Sequence, residues 1–220
     1  ANLTEAILMR AIGGPLTGPT TPDNITLPED YKLITSVDTN GSYIVGPYAV
    51  LTDADLQYAD LSDVDLTNTF LNYANLTNAK LTNADLTTTV LDYAVLKDAD
   101  LTNADAKSGF FKYADLTGAD LTNANLSGAD LTGATLECAI GGPLSGPNTD
   151  SLISLPTDYT LITGGESKVP YIVGHEINLS GADLTDADLT GTDLTNADLS
   201  GANLSGADLT DADLTGADLT

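Results

Sequence analysis

Tryptophan is absent from this chain, and cysteine, histidine and methionine occur once each. A lone cysteine, Cys138, excludes an internal disulfide and leaves the redox compartment unread. Positive charge is scarce as well: 7 Lys and Arg stand against 32 Asp and Glu, a formal net charge of −25. A surface of that sign repels nucleic acid and anionic membranes, and it favours cations or basic protein surfaces as partners. No apolar run approaches the length of a membrane span. No secretory leader is visible, an absence that carries no information because Ala1 already sits inside a repeat. What remains is rich in Ala, Leu, Asp, Thr and Asn, too apolar and too regular for a disordered chain.

The regularity is a period of five. Leu recurs from Leu51 to Leu101 at every fifth residue, and after Ala106 and Phe111 it resumes from Leu116 to Leu136. A second run in the same phase goes from Leu179 to Leu219, and a short one holds Leu3 and Leu8. Two residues before each Leu stands Ala, or occasionally Val, Thr or Gly. A period of five matches neither a helix at 3.6 nor a strand at 2.0. The abundant Asp, Asn, Thr and Gly also suit a helix interior poorly. A coil that turns a corner every five residues fits: four corners close a square, and successive rungs stack at about 4.8 Å.

The quintets A-D-L-T-N and A-D-L-S-G resemble the pentapeptide-repeat family, and 18 consecutive quintets run from residue 49 to 138. The resemblance implies an all-β fold, a right-handed quadrilateral β-helix with Leu and the preceding Ala pointing inward. Leu56, Leu76, Leu96 and Leu116 then form one core stack. Ala106 and Gly109 are too small for the pattern and Phe111 too large, which reads as volume compensation within one layer.

A longer period is superimposed. Residues 1–56 align with 129–184 without a gap, about thirty of the fifty-six pairs being identical; AIGGPLTGP at 11–19 matches AIGGPLSGP at 139–147. The chain divides into the end of an array (1–12), a loop and hairpin (13–48), a β-helix (49–140), a second loop and hairpin (141–176) and an incomplete β-helix (177–220). In the interruptions, Tyr31–Thr35 and Tyr43–Val45 read as strands joined through Asn40-Gly41, and Tyr159–Thr163 and Tyr171–Val173 as strands joined through Gly164-Gly165. Each hairpin is expected to decorate the shaft. Because both ends fall within arrays, the chain reads as a segment of a longer repetitive polymer.

Chemistry has little to stand on. His175 aligns with Pro47 and Cys138 with Arg10, so neither belongs to the repeated unit, and His175 reads as a solvated loop histidine. The Asp residues before each Leu form outward columns at spacings of twenty: Asp60, Lys80, Asp100 and Asp120 in one, Asp65, Asp85, Asp105 and Asn125 in another. Carboxylates so spaced repel by roughly 1 kcal/mol in water, which predicts diffuse association of cations, Ca²⁺ included, rather than a defined metal site. No cofactor is called for. One outward column differs: Val50, Phe70, Val90 and Phe110, beside a second column of Tyr73, Tyr93 and Tyr113. An open apolar stripe of this kind marks a partner interface. The competing expectation is that the hairpin leaving the shaft beside Val50 folds back and covers it.

These readings favour a non-enzymatic structural or scaffold rod, a segment of an extracellular or surface fibre, associating with itself or with another protein, without nucleic acid or membrane insertion. The resemblance also implies an alternative, since some pentapeptide-repeat proteins mimic a DNA duplex and bind a topoisomerase such as DNA gyrase. A generic protein-interaction module is the plainest form of the same reading. Pentapeptide-repeat proteins abound in cyanobacteria, and interruptions similar to Y-I-V-G-P are typical of that group.

Overall fold

The structure, a computed structural model, describes residues 14, 16, 26–35, 41–145, 153–166 and 168–220. The array at 1–12, the loop residues 17–25 and most of the Val37–Gly41 link lie outside the described residues.

From Val50 onward, parallel bridges join residues twenty apart: Val50 to Phe70 to Val90 to Phe110 to Asp130, and likewise from Asp55, Asp60 and Asp65. Four five-residue sides therefore make one coil. Within a regular side, one with Asp or Asn before its Leu and a coil on either flank, each backbone amide has a destination. Leu51 N–H donates to Phe70 O at 2.7 Å, Asp53 N–H to Asn72 O at 3.0 Å, and Phe70 N–H back to Ala49 O at 2.9 Å. Ala54 N–H closes the corner on Leu51 O at 3.1 Å. The amide after each of these Leu residues has no main-chain partner, and where Asp or Asn stands two residues earlier its side chain supplies one, as Asp65 Oδ1 does for Thr67 N–H at 2.9 Å. Asp or Asn before the Leu is thus an acceptor required by the fold, since an orphaned amide is unfavourable.

The corner also fixes the second residue after Leu. Asp53, Asn68, Asn78 and Asn103 sit at φ 58, 56, 57 and 58, the left-handed region that Asn, Asp and Gly tolerate best. The inward residues fill the shaft: Leu56, Leu76, Leu96 and Leu116 are fully buried. Burying each Leu contributes about 1.5–3 kcal/mol. Two buried threonines replace the inward Ala without orphaning a hydroxyl, because Thr69 Oγ1 donates to Gly46 O at 2.8 Å and Thr89 Oγ1 to Leu66 O at 2.7 Å. In the odd layer the Phe111 ring lies against Gly109, where a Cβ would stand 2.7 Å from Phe111 Cε2.

The interruptions are two antiparallel hairpins, β1 (Lys32–Thr35) with β2 (Ser42–Val45), and β3 (Tyr159–Gly164) with β4 (Val169–Gly174). The second does not decorate the shaft: it is built into the stack. Ile172 N–H donates to Gly141 O at 2.8 Å and Leu144 N–H to Pro170 O at 2.8 Å on one side, while Gly165 N–H reaches Thr185 O at 3.0 Å on the other. Tyr171, Ile172 and Val173 join the buried core. The physical reason is that a β-edge and the apolar face of the last coil both need a cover, and a hairpin satisfies both. Ile140 bridges directly to Asn178, which resumes the column leading to Asp198 and Asp218.

The acidic columns are held by local hydrogen bonds more strongly than they repel. The Thr two residues on, through its hydroxyl and its N–H, keeps the carboxyls of Asp188 and Asp213 below the ordinary range, and the like charge twenty residues away opposes this more weakly.

Two outcomes follow. Gly109→Ala should destabilise by about 1–3 kcal/mol through overpacking, and Gly109→Ala with Phe111→Leu should recover much of it in thermal melts followed by circular dichroism; an unaffected single variant would disprove the compensation. Acid should also loosen the array. Asp188 and Asp213 have folded pKa values below the ordinary 3.8, so their contribution is present above that value and is lost as pH falls through the folded values. The midpoint should drop between pH 4 and pH 2; a rising midpoint would show that relief of the net negative charge dominates.

Candidate functional site

The bridges place Val50, Phe70, Val90 and Phe110 in one column of one face. Phe70 and Phe110 are 38% and 43% exposed, and Tyr73, Tyr93 and Tyr113 are 56%, 47% and 55% exposed. The hairpin does not cover them, which corrects the expectation that it folds back over the stripe. Its contacts lie elsewhere: Lys32 Nζ donates to Ser62 O at 3.0 Å, and Asp55 N–H donates to Tyr43 Oη at 3.1 Å. The hairpin therefore sits along the sides that follow the stripe in the first described coil, where the Tyr43 hydroxyl meets the Asp55 amide and Lys32 meets the Ser62 carbonyl.

The three tyrosines form a ladder. Ring centroids are 5.1 Å apart in both steps, with interplanar angles of 8° and 17°. Each occupies the left-handed corner, at φ 60, 62 and 56. A side chain there is disfavoured by roughly 1–2 kcal/mol, and stacking returns about 0.5–1.5 kcal/mol per pair. With three residues and only two stacked pairs, the penalty exceeds the return, so the ladder is not explained by stability alone. The Phe column carries a second structural penalty, because it removes the acceptor that Asp or Asn supplies elsewhere. Lys112 N–H, two residues after Phe110, turns instead to Asp92 Oδ1 at 2.9 Å.

The stripe has definite ends. The Tyr113 ring passes over Gly133, where a Cβ would lie 2.6 Å from two ring carbons. Asp130 follows Phe110 in the column and pairs with Lys112 Nζ at 3.0 Å. Burial opposes this carboxylate's ionisation, yet hydrogen bonds from Thr132 and Lys112 hold its pKa below the ordinary value. Because Tyr93 is stacked on both faces, it presents its edge and hydroxyl rather than a ring face. That geometry suits packing by side chains of another protein and leaves no open face at Tyr93 for a flat sugar or base.

The remaining candidates are dispersed. His175 rests its ring against Tyr159, with centroids 5.0 Å apart, and its carbonyl accepts from Tyr159 Oη at 3.0 Å. Pro47 O accepts from Tyr31 Oη at 2.8 Å in the matching place, so the contact belongs to the hairpin rather than to an imidazole site. Burial first, then the Glu137, Glu176 and Asp158 carboxylates, raise the Tyr159 phenol far above its usual range. Cys138 is exposed at a left-handed corner. Among the described residues, no group of three or more His, Cys, Asp and Glu is arranged to hold a metal ion, and no helix is long and apolar enough to cross a membrane. What sequence reasoning missed is the left-handed backbone under the tyrosines; the signal was available, since Tyr73, Tyr93 and Tyr113 stand where Asn, Asp and Gly stand in most other quintets.

Comparison with known proteins identifies the repeat. The family description "Pentapeptide repeats" matches in 8 copies, over residues 47–72, 71–105, 109–139 and 177–216. HetL, a pentapeptide-repeat protein involved in heterocyst differentiation regulation in the cyanobacterium Nostoc sp. strain PCC 7120, is 31% identical; the match covers 79% of this chain and 73% of HetL, with a TM-score of 0.27. Rfr23 of the cyanobacterium Cyanothece 51142 is 34% identical over 40% of this chain and 56% of its own, with a TM-score of 0.25. QnrB1, a plasmid-mediated fluoroquinolone resistance protein, is 15% identical over 79% of this chain and 70% of its own, with a TM-score of 0.42. No curated protein matches. With more than half its length matched and the corner geometry in place, the chain belongs to the pentapeptide-repeat proteins and has their right-handed quadrilateral β-helix fold.

Proposed function

We propose that this chain is a non-enzymatic structural rod that docks another protein through the aromatic stripe. The observation that carries the reading is the double sacrifice on one face: tyrosines at left-handed corners and phenylalanines in place of backbone acceptors, all left open to solvent. Val50 to Phe110 spans three coil steps, about 14 Å at strand spacing, shorter than a standard interface. A partner must therefore also engage the flanks, which are acidic at Asp53, Asp92 and Asp130. The fitting partner has an apolar strip bordered by Lys and Arg. Two copies placed stripe to stripe would bring like charges together, so a different, basic protein is favoured over self-association. Service in an extracellular or surface scaffold is compatible with this role.

The acidic columns support a second reading, mimicry of a nucleic-acid duplex toward a topoisomerase. Against it stand the Asn, Thr and Lys that dilute the columns and the apolar face itself.

A photo-crosslinking amino acid at Tyr93 should capture a discrete basic protein in the native host, and the same group at Asn103 on another face should not. Phe70→Ser with Phe110→Ser should abolish capture while leaving the thermal midpoint within a few degrees. Equal capture at both positions would remove the stripe from the proposal, and capture of the chain itself would establish self-association instead. In a gyrase supercoiling assay, neither inhibition nor protection is expected at micromolar protein; either effect would favour mimicry.

A further inference from the structure

The coil that follows the second hairpin is incompletely paired. In a regular coil the residue before each Leu donates its N–H to the preceding coil, as Asp198 does to Ile177 O and Asp208 to Ala187 O, both at 2.9 Å. After the hairpin, Asp183 N–H is met instead by Tyr171 Oη at 3.3 Å. Between these two points, no hydrogen bond among the described residues reaches the backbone N–H of Asp188 or Asp193, and none reaches the carbonyl of Thr190. The flanking carbonyls are engaged, Thr185 O by Gly165 N–H at 3.0 Å and Thr195 O by Glu176 N–H at 2.8 Å.

Opposite this edge lies a second one. Pro170 O and Ile172 N–H face the 141–144 segment, so Val169, Tyr171 and Val173 face β3 and pair with Gly164, Ile162 and Thr160. By the alternation of antiparallel pairs, Leu161 and Thr163 then turn their N–H and C=O away from β4, toward the coil. Two cavities of about 400 Å³ each, sharing Thr160, Thr190 and Thr192, separate the two edges. Asp188 and Asp193 line this groove, and β3 and the coil do not close it.

The first unit shows what belongs there. Thr160 aligns with Lys32, and Thr190 with Ser62. In the first unit the Lys32 ammonium donates to the Ser62 carbonyl at 3.0 Å, so that unit supplies its own cation across the same gap. The second unit has a threonine at that place and leaves the carbonyl free.

We propose that the groove between β3 and the 188–193 coil edge binds an extended polypeptide strand of a partner, with a lysine side chain at the place Lys32 takes in the first unit. Main-chain pairing to the outward edge of β3 at Leu161 and Thr163 gives affinity, and the ammonium reaches the Thr190 carbonyl at the corner between Asp188 and Asp193. This site is separate from the aromatic stripe and stands or falls independently of it.

The probe is the capped peptide acetyl-Thr-Lys-Val-Lys-Thr-amide, titrated into the whole chain with amide chemical shifts followed by NMR. Shifts should concentrate at Leu161, Thr163, Asp188 and Asp193, with one peptide bound per chain. Replacing the peptide lysines by norleucine, or N-methylating alternate amides, should each weaken binding at least tenfold. Thr160→Lys should close the groove, weaken the peptide at least tenfold and leave the fold intact by circular dichroism. Lys32→Thr should open the equivalent groove and raise the stoichiometry from one to two. Equal binding of the N-methylated peptide would reduce the effect to charge adsorption and overturn the proposal. Shifts spread over the acidic columns, indifference to Thr160→Lys, or dimerisation abolished by Thr160→Lys would overturn it as well.

Discussion

Everything in this molecule depends on how five backbone amides are satisfied on each side of a square coil. Three pair with neighbouring coils and one closes the corner, while the fifth has only a side chain to meet. That single shortfall explains why Asp or Asn precedes most central leucines. It also recasts the net charge of −25. Asn75 serves the acceptor role for Thr77 just as Asp65 does for Thr67, so the negative charge accompanies an acceptor requirement that a neutral amide meets equally well. Choosing Asp over Asn is then a choice about solubility and partners, made on positions whose occupancy by an acceptor is already settled.

The same accounting explains the hairpins. A solenoid coil without a predecessor exposes amides and an apolar layer together. Tyr43 and Tyr171 show the solution at its most economical: each buries its ring in the core and offers its hydroxyl to the first amide of the next coil, Asp55 or Asp183. A hairpin is a poorer match than a coil because its strands run antiparallel and straight while the coil turns a corner. Pairing holds at its ends and fails in its middle, which is why a groove opens between β3 and the coil rather than at either flank.

Much of this was legible in the sequence. A period of five cannot be a helix or a flat strand, and the fully buried Leu56, Leu76, Leu96 and Leu116 occupy the inward positions the pattern assigns. The exchange of Gly109 for a side chain and of Leu for Phe111 was readable as a volume argument within one layer. The placement of the hairpins was not. Periodicity reports which way a side chain points, and says nothing about where a non-periodic segment goes once it leaves the repeat. The expectation of a covered stripe fails for that reason: the hairpin follows hydrogen-bonding partners on the neighbouring sides, the Ser62 carbonyl and the Asp55 amide, rather than the nearest exposed apolar face. The open condition of Phe70 and Phe110 is thus a consequence of hydrogen bonding on the neighbouring sides.

Function in such a fold must reside where the repeat is broken, and the two breaks here are of opposite kinds. On the stripe, side chains that the backbone does not want are tolerated: phenylalanines where acceptors belong, and tyrosines where φ near 60 disfavours them. At the hairpin, backbone groups that side chains do not meet are left facing a cavity. The first break offers apolar side-chain area and the second offers main-chain donors and acceptors. A partner that recognised one would gain little from features that recognise the other, since packing against aromatic edges rewards shape while pairing to a strand edge rewards an extended backbone. The regular coils between them contribute a fixed spacing at strand separation, so the array holds the aromatic stripe and the hairpin groove at a set distance along the shaft.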